Sequence, residues 1–285
     1  MGNRSADGGS STSEATPSRP RISSAGGRAR RLRLVAGYVV PPAIALFLAA
    51  VVWEVWVNVN KVPEYIMPAP SEVLGALADN WRLFAKEGAA TLSEALAGFA
   101  LGSAIALGFA AMMAHSRFLE RSLLPLAIMV KVTPIVAVAP LFVIWFGFGV
   151  VPKILIAALI TFFPVMVNGV AGFRSVNPLA MDFLRSLSAS QREIFLVLRV
   201  PSSLPYLFAA FRVAIPLSVI GAVIAEWFSG DRGLGSVIAV AHSNLDTVTL
   251  FGAIFTLAFL GIGLTLLLSL VERKALFWHE SSLVT

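Results

Sequence analysis

The sequence predicts an all-α membrane protein with about six transmembrane helices and both termini in the cytoplasm. Three observations carry this. Hydrophobic residues fill 57% of the 285 positions and charged residues only 13%, at a mean hydropathy of +0.82, far too apolar for a chain folded in water. Six apolar runs, approximately 34–57, 91–114, 121–147, 152–173, 205–229 and 248–271, reach the roughly 20 residues that a helix needs to cross the hydrocarbon. Lys and Arg are also distributed unevenly over the segments between those runs.

Residues 1–33 are rich in Gly, Ser, Arg and Pro and have little to bury, so they read as a disordered basic cytoplasmic tail ahead of a transmembrane domain at 34–285. A cleaved signal peptide fits less well, because the apolar run that follows is too long and no small-residue cleavage site flanks it. After the first span, Leu74, Leu77, Ala78, Trp81 and Phe84 recur at helical spacing, which suits one surface helix over Ser71–Ala85 on the outer interface. In the second span Gly98, Gly102, Ala106, Ala110 and Ala114 form a smooth face for close helix packing, either within a subunit or between subunits. Lys131, Pro134 and Pro140 interrupt the third span, which is then one kinked helix or two shorter pieces, with Trp145, Gly147 and Gly149 at its outer end. Asn168 is a polar residue inside the fourth span, expected to bond another helix or to face a pathway. The fifth span carries Arg212 near its inner end, a kink-forming Pro216, and Glu226 near its outer end.

With the N-terminus inside, the tail, the second–third loop, the fourth–fifth loop and the C-terminus hold 15 of the 22 Lys and Arg residues. The outer segments hold Lys61, Arg82, Lys86, Lys153 and Arg232, and Lys131 and Arg212 lie within spans. Positive loops stay in the cytoplasm, so this count orients the chain and accounts for its +6 charge without nucleic acid. The absence of cysteine excludes disulfides and thiolate metal sites. His115, His242 and His279 form no metal-ligand pair, and there is neither a nucleophile–base constellation nor a G-x-x-x-x-G-K-[ST] phosphate loop. No catalytic or metal residue is assigned, and no cofactor is expected on this chain.

Between the fourth and fifth spans lies a polar island, Asp182 to Pro201, within a loop at about 174–204. Asn177 before Pro178 predicts a capped helix start, Ser190 and Glu193 predict a capping box, and Pro201 is expected to end the second helix before Ser202 and Ser203 cap the next span. A helix, a turn over Leu187–Ala189 and a second helix are more than an ordinary connector needs.

This island resembles the EAA loop of ATP-binding cassette importer permeases, whose pattern is Glu-Ala-Ala, three residues, Gly, nine residues and Ile-x-Leu-Pro. Pro201 matches the proline, Leu198 and Val200 the aliphatic sites, Ser188 the glycine and Asp182 the glutamate, while Phe183 and Leu184 replace the alanines. Thr133-Pro134, Ala139 to Phe142, Trp145 to Gly149, Phe163 to Val165, Ala171 to Val176, Gly221 to Glu226, Gly233-Leu234-Gly235 and Trp278-His279 resemble the nitrate/sulfonate/taurine-type permease group, and pyrimidine-precursor and riboflavin permeases share much of that pattern.

The resemblance implies a homodimer in a bacterial cytoplasmic membrane, with a pathway at the subunit interface. It also implies a cassette ATPase dimer, holding ATP and magnesium, docked on loop residues Asp182, Arg185, Ser188, Ala189, Leu198, Val200 and Pro201. It implies further an extracytoplasmic solute-binding protein that delivers the cargo, expected to be a sulfonate-, nitrate- or taurine-like anion or a pyrimidine-type heterocycle. Lys131 either faces that pathway, where an ammonium suits an anion, or snorkels to the cytoplasmic edge of a broken helix. Glu226 lines an outer gate, contacts the binding protein or is a hydrated interfacial carboxylate, and Glu94 reads as the last of these. Arg212 is expected to snorkel or to pair with the loop. The alternative from another class is an ATP-independent secondary transporter or channel, disfavoured by the lack of a mid-membrane ionisable relay or clear repeat.

Overall fold

The computed structural model describes residues 25–276, with side-chain surroundings from residue 40 onward, and all regular elements among the described residues are helical. It comprises two units, one ending at Val52 and one running from Trp53. The first unit holds most of α1 (Ala25–Val59), whose residues 40–49 are all exposed. That helix starts nine residues ahead of the expected span, so the tail expectation over 1–33 is shortened; Ala, Leu and Arg, which dominate residues 28–33, are strong helix formers. Residues 1–24, and Trp278-His279 at the other end, lie outside the described residues.

The second unit contains α2 (Pro70–Asp79), α3 (Trp81–His115), α4 (Arg117–Val132), α5 (Ile135–Phe146), α6 (Val150–Arg174), α7 (Pro178–Ser186), α8 (Gln191–Glu193), α9 (Val200–Ser229), α10 (Leu234–Ser243) and α11 (Thr247–Ala275). Five segments are long and apolar enough to cross a membrane, and the α4–α5 pair makes a sixth when read as one bent span. The single surface helix expected over Ser71–Ala85 is instead two helices broken at Asn80, whose φ of −107° and ψ of 25° leave the helical region. Phe84 belongs to the second of these and is buried against Leu234 and Ala253.

α3, α6 and α9 form the centre, and small residues let them close up. Without a hydrophobic effect between helices in lipid, backbone proximity and dispersion hold them together. A methyl added at Gly102 would sit 2.9 Å from Ala158 Cα, one at Gly98 2.9 Å from the Ile154 carbonyl oxygen, and one at Gly221 2.8 Å from Ala157 Cα. Both glycines of the α3 stripe therefore face α6 of the same chain. Edge-to-face pairs lock the same contacts, Phe99 with Phe211 at 5.3 Å and Phe109 with Phe162 at 5.6 Å.

The third span is two helices bent by 94°. The cause is Pro134, which offers no backbone donor and pushes Thr133 into an extended conformation, φ −65° and ψ 125°. Pro201, by contrast, does not end its helix as expected. Gln191–Ser229 runs continuously through a π-helical stretch, Ile194–Arg199, so Ser202 and Ser203 cap nothing. A proline ring clashes with the carbonyl four residues earlier in a regular α-helix, and the wider turn before Pro201 relieves that clash.

Candidate functional site

The loop between α6 and α9 is built from local signals. The Asn177 side chain accepts a 2.9 Å bond from Leu179 N–H, and Pro178 opens α7. At the far end of α7, Ser188 N–H bonds the Arg185 carbonyl at 2.9 Å and Ala189 N–H the Leu184 carbonyl at 3.1 Å. That pairing is a Schellman stop, and Ser188 holds its left-handed position at φ +57°, where glycine is usual. Ser190 and Glu193 complete the capping box. Asp182 and Arg185 face each other across one turn at 3.8 Å and are both exposed, so the pair itself contributes little to stability. Leu179, Phe183 and Leu187 are also exposed, while Ala189, Leu198 and Val200 are half-buried and Pro201 is exposed.

A cavity of about 700 Å³ opens where the α4–α5 break meets α6 and α9. Its walls are apolar except for Lys131, Thr133 and Asn168. The Lys131 ammonium stands 4.6 Å over the Phe163 ring, and among the described residues no carboxylate pairs with it. Asn168 donates 2.8 Å to the carbonyl of Pro164 on its own helix, not to another helix as expected, which leaves its carbonyl oxygen for the cavity. The structure thus brings Lys131 and Asn168 to one cavity.

Glu226 is elsewhere. It is fully buried and turns away from that cavity toward α10, accepting 2.6 Å from Gly235 N–H. The segment Gly233–Gly235 is a cradle: Gly233 N–H bonds Glu87 at 2.8 Å, and Leu234 N–H bonds the Thr91 hydroxyl at 2.9 Å. Gly233 has φ +100° and its α-carbon abuts the Glu226 carboxyl, so neither the backbone nor the space admits another residue. The carboxylates also meet backbone donors at the start of α10 that have no partner within the helix, where the helix dipole favours negative charge.

Lys153 lies beside this cradle with 1% of its side chain exposed. It bonds Glu94 at 3.1 Å, Asp231 at 2.8 Å and the Arg232 carbonyl at 3.0 Å. Two expectations are corrected here: Lys153 is not an outer-loop charge, and Glu94, 3% exposed, is not a hydrated interfacial carboxylate. Burying either charge alone is costly, and each is present because the other compensates it. Burial acts to raise the Asp231 carboxyl, but hydrogen bonds and charge from Lys153, with bonds from Ser229 and Arg232, hold it below the usual range. One signal in the sequence marks the site: Glu87, Thr91 and Glu94 repeat at four and three residues, a polar stripe on one face of an apolar helix. Arg212 pairs with Glu272 of α11 at 2.7 Å rather than with the loop. Among the described residues no group of three or more His, Asp or Glu is arranged to hold a metal.

Residues 98–276 match the family described as binding-protein-dependent transport system inner membrane component. The chain is 35% identical over 240 residues to the riboflavin transport system permease protein RibX of Chloroflexus aurantiacus, covering 84% of this chain and 90% of that protein. It is 31% identical to the formylaminopyrimidine transport permease protein ThiX of Halalkalibacterium halodurans, covering 84% and 96%. It is 30% identical to the putative aliphatic sulfonates transport permease protein SsuC of Bacillus subtilis, covering 83% and 87%. With its apolar helices and these relatives, the chain is a multi-pass protein of the bacterial inner membrane and belongs to the family of binding-protein-dependent ABC transport permeases.

Proposed function

We propose that this permease imports a small polar solute by alternating access, as a homodimer powered by a separate pair of cassette ATPases. ATP and magnesium sit on those subunits, and an extracytoplasmic solute-binding protein delivers the cargo. In this reading residues 34–285 are the transmembrane domain, both termini are cytoplasmic, and the loop at about 174–204 receives the ATPase. The observation that carries it is the loop itself. It presents Leu179, Phe183 and Leu187 beside Asp182 and Arg185, all exposed, along the capped helix α7 and its C-terminal end. Exposed apolar side chains with charges at their rim are what a protein partner covers.

Cargo passes the cavity between α4–α5, α6 and α9. Its apolar walls, the Phe163 ring and the Asn168 amide suit a pyrimidine-type heterocycle, and the names of two relatives give heterocyclic cargo, formylaminopyrimidine for one and riboflavin for the other. A second reading, a sulfonate-like anion, is favoured by one observation, the Lys131 ammonium with no carboxylate partner among the described residues. The test is to purify the tagged chain from gently solubilised native membranes, as wild type and with Asp182→Arg and Arg185→Glu together. This double reversal keeps the local pair but inverts what a partner meets. An ATPase retained by wild type and lost by the variant supports the reading; retention by both refutes the docking role.

A further inference from the structure

We propose that Arg199 passes the motion of the coupling loop to α3, and that α3 acts as a rod linking this loop to the ion network around Lys153. The inference rests on the ATPase-coupling role proposed above for the loop.

The last carbonyls of a helix lack partners within it. At the end of α3 the Ala114 carbonyl accepts 3.1 Å from Arg199, and the Met113 carbonyl accepts 2.8 Å from Arg174. The two arginines differ. Arg174 ends α6 and is also fixed by Glu120 of α4 at 2.8 Å. Arg199 closes the π-helical stretch of the loop, and among the described residues no carboxylate holds it. Among the described residues, its bond to Ala114 is the one side-chain hydrogen bond that leads from residues 178–199 out of the loop; those of Ser186, Ser190 and Glu193 stay local. Beside it, Phe195 is wedged between His115 at 5.1–5.2 Å centroid distance and Phe173, and Ile194 is buried. The grip is therefore a charge-assisted bond backed by an aromatic wedge.

α3 can transmit what it receives. From Ala114 back to Glu94 is a separation of 20 positions along proline-free helix, about 30 Å at 1.5 Å per residue. Its other end carries Glu87, Thr91 and Glu94, which hold the Gly233–Gly235 cradle and Lys153. A shift at Arg199 thus reaches Asp231 and the segment that starts α10. The π-helical stretch is suited to give, since such wide turns mark places where a helix changes register.

The absence of cysteine makes the test direct. Arg232→Cys places one thiol on the exposed segment at the far end. A charged, membrane-impermeant thiol reagent is applied to the complex as purified with its ATPase, nucleotide-free and after trapping with ATP, magnesium and vanadate. The labelling rate should change at least fivefold between the two states. Adding Arg199→Met should reduce that change below 1.5-fold while the ATPase stays bound and hydrolyses ATP. Arg199→Lys, which still donates to a carbonyl, should restore at least half of it. Arg174→Met, which removes the cap supplied from the end of α6 and shared with Glu120 of α4, should leave the response intact, so loss of helix capping alone is separated from transmission. A full response in Arg199→Met overturns the proposal. So does loss of the ATPase from both Arg199 variants, which would make Arg199 part of the docking surface. An unmodified chain that carries no ATPase refutes the coupling role itself and takes this inference with it.

Discussion

Replacing Lys153 with methionine removes one cation and strands two carboxylates of unequal exposure. Glu94 is 3% exposed and Asp231 38%, so nearly the whole penalty falls on Glu94. Breaking a buried ion pair by deleting one partner costs about 3–5 kcal/mol, because the surviving charge is neither hydrated nor compensated. The Asp231 arm is partly in solvent and adds about 1 kcal/mol or less. Reversible unfolding in mixed micelles should show Lys153→Met destabilised by about 3–5 kcal/mol and Asp231→Asn by about 1 kcal/mol. Adding Glu94→Gln to Lys153→Met removes the stranded charge, so the double variant should be more stable than the sum of the single losses by about 2–3 kcal/mol. A Lys153→Met protein within about 0.5 kcal/mol of wild type, or single losses that simply add, would refute the argument.

Three further outcomes follow from the same structure. Gly102→Leu drives a side chain into the Ala158 backbone, so α3 and α6 must part; we expect loss of monodisperse protein on size-exclusion chromatography, whereas Gly108→Leu, with open space at its Cβ, behaves as wild type. Asp231 has a lowered folded value, so its contribution is complete above the unfolded value of 3.8 and lost as pH falls through the folded one; between pH 6 and pH 3 wild type should lose more stability than Asp231→Asn, and equal losses count against the pairing. Lys131→Gln should lower uptake of an anionic cargo at least tenfold, in line with about 1.4 kcal/mol or more of lost interaction, and leave a neutral heterocycle within twofold; no change for either would remove Lys131 from the pathway.

Much of the fold was legible because single residues decided it locally. Apolar length placed the spans, Asn177-Pro178 and Ser190–Glu193 placed the loop helices, and the four-residue spacing of Gly98 and Gly102 marked a face for close packing. What escaped depends on neighbours distant in sequence. Lys153 reads as a loop charge until α3 supplies Glu94, 59 residues away, and the loop after α9 supplies Asp231. Glu226 was singled out from the sequence, but its cradle forms only when Gly233–Gly235 folds back onto it. Pro201 reads as a stop because proline usually is one, and the π-helical turn that absorbs it has no single-residue signature. Asn168 lies in the span as expected, yet the nearest acceptor for its amide is a carbonyl one turn back on its own helix.

The most direct test of the account is transport by the purified complex in proteoliposomes, with ATP and magnesium supplied on the face that bears the α6–α9 loop. Uptake of a riboflavin, formylaminopyrimidine or aliphatic sulfonate probe should require ATP, cease with a non-hydrolysable analogue, and fall to background in the doubly reversed Asp182 and Arg185 variant. Uptake by the chain alone at the same rate without ATP, driven by an ion gradient, would contradict the account and identify a secondary transporter.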